Sequence, residues 1–204
     1  MKALLRKYLY VLATTFKTTL LMWMVFPLVA LFSPQNASFI LYTGLIAGTI
    51  SSTLISYEER EKWPMFAGTL PVSKKQVVTE RYVFTLIMIL AATLIGAVIF
   101  ITYVLRGAPE YASPALLVQN FATSLLMPSL LLPVTYRYGI EKGRYVVMFV
   151  VIFVAIGSQQ MVPFFNNISN LANYLVPLMV IGSIALFAVS YALSVKWYTA
   201  KESH

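Results

Sequence analysis

Six apolar runs, none holding a charged side chain, decide what this chain can fold into. They fall at residues 18–33, 38–57, 82–105, 114–134, 145–162 and 173–195. A helix needs about 20 mainly apolar residues to cross the hydrocarbon of a bilayer. The first and fifth runs are short, and the first can borrow length from the residues before it. In water so small a chain could not hide this much apolar surface, because small domains bury the smallest fraction of theirs. Of its 204 residues 59% are apolar and 11% charged, against about 45–50% and about 25% in a soluble domain. The expectation is an all-α polytopic membrane protein, one domain over residues 1–204 with six transmembrane helices. A soluble enzyme and a nucleic-acid-binding domain both fit this composition poorly.

The basic residues set the orientation. Lys2, Arg6, Lys7 and Lys17 precede the first run, and Arg60, Lys62, Lys74, Lys75 and Arg81 follow the second. Arg137, Lys142 and Arg144 follow the fourth, and Lys196 and Lys201 follow the sixth. Of the 15 basic residues only Arg106 lies in an intervening loop. Cytoplasmic loops retain Lys and Arg, so both termini and the loops after runs two and four are expected in the cytoplasm. The same retention accounts for the net charge of +8 without nucleic acid. Residues 1–17 read as an amphipathic elbow helix. Leu5, Tyr8, Leu9, Leu12 and Phe16 share one face, with Lys2, Arg6 and Lys7 on others. Such a helix lies in the inner leaflet before turning into the first span. The alternative is the inner end of a long, tilted first span. No small-residue cleavage site follows, so a removable signal is not expected.

The residues that carry chemistry are scarce. There is no Cys and no Asp, and the one His is His204. Thiolate, His-based and metal chemistry lack their usual side chains, so neither an enzyme nor a metal site is expected. The apolar runs hold no Asp, Glu, Lys, Arg or His, unlike the cores of most ion-coupled transporters. The second run places Gly44, Gly48, Ser52 and Ser56 four apart, with Thr49 and Thr53 beside them. Gly48, Thr49, Ser52 and Thr53 either line a pathway or let another helix pack closely, with hydroxyls bonded to their own backbone. Gln159 and Gln160 are further pathway candidates at the end of the fifth run. Residues 163–167 after them are too apolar for a solvated loop and are expected to cap the outer mouth.

The loop at 58–81 is long for a connection between neighbouring helices. Apolar Trp63, Met65, Phe66 and Leu70 interrupt its charges. Pro64 suits a helical first turn, Gly68 a helix end, and Leu70-Pro71 an extended step. Ser73 with Gln76 predicts a capping box that opens one continuous helix over residues 74–105. A short transverse helix at 63–70 would offer an apolar patch to a partner, or rest on the lipid surface.

Three stretches carry a family resemblance. One is Tyr57-Glu58-Glu59 with Trp63 and then Leu70-Pro71-Val72-Ser73-Lys74-Lys75-Gln76-Val77-Val78. The second is Leu132-Pro133 followed by Tyr136-Arg137-Tyr138-Gly139-Ile140-Glu141-Lys142-Gly143-Arg144. The third is the opening Met1-Lys2-Ala3-Leu4-Leu5-Arg6-Lys7. With the six-span layout, the chain resembles the short permease subunits of type-2-class ABC exporters. That group includes bacterial exporters of phenol-soluble modulins and antibiotic peptides. The chain departs from relatives at Tyr8-Leu9-Tyr10, where they often place an acid.

The resemblance implies a permease in the bacterial plasma membrane, exporting amphipathic or hydrophobic peptides. Two permeases, identical or paralogous, would work with two cytoplasmic ATPase subunits. Glu58, Glu59, Arg60, Trp63, Met65, Phe66 and Leu70 would form the main coupling contact with an ATPase. Tyr138, Gly139, Glu141 and Lys142 would form a second, smaller one. The chain has no G-x-x-x-x-G-K-[ST] loop, so ATP and Mg would be bound by the partner and no cofactor by this chain. The rival readings are a transporter or channel without ATP, and an immunity or sensor subunit that binds its ligand without moving it.

Overall fold

A computed structural model describes residues 2–15, 17–33, 35, 37–61, 73–108, 114–139, 142–143, 145, 149 and 172–200. Within them lie six α-helices. These are α1 (Lys2–Thr15), α2 (Lys17–Phe32), α3 (Phe39–Arg60), α4 (Lys74–Leu105), α5 (Pro114–Tyr138) and α6 (Ala172–Ala200). Four of them, α3 to α6, are long and apolar enough to cross a membrane. The pair α1 and α2 bends by 82° and makes a fifth candidate if taken as one broken span. The expected fifth run at 145–162 lies almost wholly outside the described residues, as do residues 62–72 and 163–167.

The central helix is α4. Its 32 residues rise about 1.5 Å each, about 48 Å in all, against about 30 Å of hydrocarbon. It therefore extends well beyond the apolar layer. Its start matches the motif read from sequence. The Gln76 backbone N–H donates to Ser73 Oγ at 3.2 Å, and the Ser73 N–H donates to Gln76 Oε1 at 2.9 Å. Ser73→Ala is expected to cost about 1 kcal/mol, as lost N-caps do, and to lower the melting temperature in detergent without changing insertion.

Two prolines did not stop α5. Pro128 and Pro133 both sit inside it, and it runs to Tyr138, one turn beyond the apolar run that ends at 134. It closes at Gly139, whose φ of +81° suits glycine and whose N–H donates to Thr135 O at 3.0 Å.

Three apolar clusters hold the bundle. Tyr8, Leu12, Trp23, Ala47, Ile50, Leu54, Phe84, Met88 and Ala92 join α1 to α4. Ala30, Ala37, Ile40, Ile99 and Tyr103 close the opposite end, where Tyr103 donates to Ala30 O and Arg106 Nη1 to Leu31 O at 2.9 Å. Ile55, Val78, Tyr82, Leu132 and Tyr136 bind α3, α4 and α5 together. One flank of α4 faces outward through Leu90, Leu94, Val98, Ile101 and Leu105. Their spacing of three and four residues makes a continuous apolar stripe suited to lipid. On α1, Tyr8 and Leu12 of the expected apolar face are buried against the bundle, while Leu9 is 47% exposed at its edge. In a bilayer the outward face can be apolar too, so hydrophobicity alone does not say which side meets protein.

Candidate functional site

Glu58 lies in the last turn of α3 and Arg81 two turns into α4, so they stand at the two roots of the loop at 62–72. Their side chains are only 4% and 7% exposed. Lys7 Nζ donates to Glu58 Oε1, and Arg81 Nη2 donates to Glu58 Oε2. The other guanidinium nitrogens are used as well: Nη1 donates to Tyr136 OH at 3.1 Å and Nε to Tyr8 OH at 3.4 Å. The Arg81 guanidinium also stands 5.4 Å from the Tyr136 ring centroid. Glu58 and Arg81 together thus tie α1 (Lys7, Tyr8), α3, α4 and α5 (Tyr136) into one clasp.

Burial makes the clasp specific. A buried charge is costly unless it is paired and its remaining polar atoms are bonded. Both oxygens of Glu58 are engaged, and all three guanidinium nitrogens of Arg81 have acceptors. A carboxylate bridging two cations, with the guanidinium bonded at every nitrogen, tolerates little displacement, since a partner moved away leaves an uncompensated charge behind. The residues meet because α3 ends and α4 begins at one end of the bundle, and α1, bent by 82° from α2, packs there through Tyr8 and Leu12 and brings Lys7 to Glu58.

The same end of the bundle carries a second set of polar contacts. Tyr82 OH shares hydrogen bonds with Ser190 Oγ at 2.7 Å and Ser194 Oγ at 2.8 Å, joining α4 to α6. Thr79 Oγ1 meets Tyr191 OH at 2.9 Å along the same line. At the foot of α5, the Arg137 guanidinium stands 5.0 Å from the Tyr138 ring centroid and 4.8 Å from that of Trp197. Cation–π contacts of this kind tie the end of α5 to the last turns of α6.

The small-residue line of α3 faces α5. A Cβ built on Gly44 would run into Asn120 Oδ1 and Ser124 Oγ. One built on Gly48 would lie 2.6 Å from Ser124 O and 3.0 Å from Pro128 Cδ. Backbones therefore approach as closely as glycine allows. The hydroxyls beside this line bond within α3: Thr49 to Ile46 O, Ser52 and Thr53 to Thr49 O, and Ser56 to Ser52 O. Of the two readings open for Gly48, Thr49, Ser52 and Thr53, helix packing describes their contacts here.

The other expected site residues fall as follows. Glu58, expected to face an ATPase, is buried and bonded within the chain, because its two cationic partners offer more than solvent does. Arg60 is exposed beside it. The Glu59 side chain, and Trp63, Met65, Phe66 and Leu70, lie outside the described residues. Tyr138 is 50% exposed at the foot of α5, and Lys142 is exposed beyond it. Gly139 shapes the backbone rather than offering a side chain. Glu141, Gln159 and Gln160 lie outside the described residues.

Sequence reasoning passed over Lys7, Arg81 and Tyr136 as partners of Glu58. The signal was there: one acid and one base stand immediately outside two consecutive spans, at the roots of one loop. Asn120 was passed over as well, although an amide within an apolar run is itself unusual. Among the described residues no group of three or more potential acidic, His or Cys ligands gathers for a metal.

Comparison with known proteins adds one positive finding. The family model described as "ABC-2 family transporter protein" matches residues 3–199. No curated protein and no solved structure matches the chain.

Proposed function

This chain belongs to the ABC-2 family of transporter proteins, and from that premise we propose that it is the permease of an ATP-driven exporter of amphipathic or hydrophobic peptides. The family supplies the membrane component of ABC-2 transporters, which works with ATPase subunits and performs no catalysis itself. The chain is accordingly a multi-pass membrane protein.

The observation that carries the reading is the family match over residues 3–199 of 204. The finer statements rest on physical arguments. Both termini face the cytoplasm of a bacterial cell, because only Arg106 of the 15 basic residues lies away from that side. Residues 1–17 are an elbow, and 145–162 supply a sixth span. Two copies, or this chain and a paralogue, pair with two ATPase subunits that bind ATP and Mg. The apolar runs offer no charge to grip an ion, so the cargo is held by apolar contact and neutral hydrogen bonds. The helix at 63–70 is the transmission contact, with Tyr138 and Lys142 in a lesser one.

The experiment is the double substitution Trp63→Ala with Phe66→Ala, tested by co-purification with the ATPase. Buried aromatic anchors are worth about 2–4 kcal/mol at an interface, so ATPase binding should weaken by roughly 30- to 1000-fold. Insertion should stay normal, because the spans are untouched. A double variant that retains the ATPase and exports like the parent would show that the helix only rests on lipid.

A further inference from the structure

Asn120 is fully buried on α5, and neither Oδ1 nor Nδ2 has a hydrogen-bond partner among the described residues. A side-chain amide has two donor hydrogens and two acceptor lone pairs to satisfy. Hydrocarbon supplies none of these bonds, so the bundle as described bears the desolvation penalty of the group. A leucine of similar size would pack there without that penalty. In this arrangement the amide is buried and unbonded, and an arrangement that gives it a partner is favoured in that respect.

The surroundings show how such a state is reached. Asn120 lies in a notch between two glycines on two other helices. A Cβ on Gly44 of α3 would overlap Asn120 Oδ1, and one on Gly96 of α4 would stand 3.7 Å from Nδ2. No side chain of either glycine interlocks with the amide, so α3 can part from α5 here without a rotamer change. One turn further along the seam is Ser124, also fully buried, whose hydroxyl donates to the backbone carbonyl of Asn120. A parted seam would thus present an amide and a hydroxyl one turn apart. No Asp, Glu, Lys, Arg or His lies in the apolar runs around them.

We propose that Asn120 is a hydrogen-bonding site for cargo, taking a neutral amide or hydroxyl of an otherwise apolar molecule when α3 parts from α5. This rests on the permease reading above. A ligand that satisfies Asn120 binds only the parted state and so shifts the population toward it. Peptide backbone fits the requirement, since it offers a donor and an acceptor to one side-chain amide.

The chain has no native cysteine, so Asn120→Cys can be followed alone. The full chain with its ATPase is placed in proteoliposomes and treated with N-ethylmaleimide, at rest and trapped with ATP and vanadate. Labelling should be slow in one condition and about tenfold or more faster in the other, within the usual range of coupling between sites. A synthetic amphipathic helical peptide should slow the fast labelling. Equally slow labelling in both conditions, or no protection by the peptide, overturns the proposal. Leu70→Cys reports on the permease reading separately, through shielding by the bound ATPase. If Leu70→Cys is shielded while Asn120→Cys never opens, only the cargo site fails. If Leu70→Cys labels alike with and without the ATPase, the permease reading fails and takes the site with it. Asn120→Leu gives an independent check: it should be at least as heat-stable as the parent yet lose about tenfold in peptide-stimulated ATP hydrolysis. Parent-like stimulation in Asn120→Leu also overturns the proposal.

Discussion

Glu58→Ala is expected to destabilise the folded chain by about 3–5 kcal/mol, the usual cost of breaking a buried ion pair from one side. The loss comes less from the missing bonds than from what remains. Arg81, 7% exposed, keeps its charge with only two tyrosine hydroxyls to answer it. Lys7, at 24%, is nearer the surface and can turn its ammonium to water along its flexible stem. Lys7→Ala should therefore cost much less than Glu58→Ala. Glu58→Gln should fall between, since it keeps the shape and one acceptor oxygen but not the charge. The telling variant is Glu58→Ala with Arg81→Met. Removing both charges should recover a good part of the loss, because an apolar replacement of a buried pair is often neutral. Equilibrium unfolding in mixed micelles reads all four, and Arg81→Met alone completes the cycle. If the double variant is as unstable as the sum of its single changes, the two residues are not coupled and the clasp is not a unit. On the permease reading, loss of Glu58 also frees the roots of the loop from α1. The ATPase should still bind, while its hydrolysis should no longer drive transport.

How much of this was legible depends on the range of the interaction. The Ser73 capping box spans three residues and follows from local rules, so it was readable, as was the continuous helix to Leu105. The four-residue spacing of Gly44 and Gly48 announced a close approach, but nothing in it named α5 as the partner. The clasp was hidden by its own chemistry. Glu58 and Arg81 stand 23 residues apart in a stretch rich in charge, where each looked like one more solvated loop residue. Only the fold shows that α3 and α4 bring them to one level and that Lys7 meets them from α1. Leu9 shares the apolar face of α1 with Tyr8 and Leu12 but is exposed, and the spacing alone did not say which part of that face would meet protein. Asn120 escaped notice because a search for charges in the apolar runs passes over a neutral amide.

Gly48→Leu is expected to be severely destabilising, at about 4 kcal/mol or more, a size that single changes reach only through a definite steric fault. The fault can be named. A Cβ at this position would lie 2.6 Å from Ser124 O and 3.0 Å from Pro128 Cδ. Neither is the free end of a flexible side chain. Ser124 O is also a special acceptor, because Pro128 has no N–H to give it the usual helical bond. The carbonyl faces α3 at the point where α3 carries no side chain. Even Gly48→Ala should force the helices apart and cost about 1–3 kcal/mol, as overpacking does. That cost opposes the gain of up to about 1 kcal/mol that alanine has over glycine in a helix. Gly182 on α6 is the internal control, since among the described residues a Cβ there would meet nothing within 4 Å. Gly182→Ala should therefore stabilise by several tenths of a kcal/mol to about 1 kcal/mol. The two alanine variants should thus move the unfolding midpoint in opposite directions. If both raise it, α3 and α5 are not in close contact at Gly48. The result bears on mechanism too. Glu58 is ten residues further along the same helix, about 15 Å at 1.5 Å per residue, so a displacement at the loop reaches this seam through one rigid rod. Widening the seam at Gly48 should then make Asn120→Cys reactive without nucleotide.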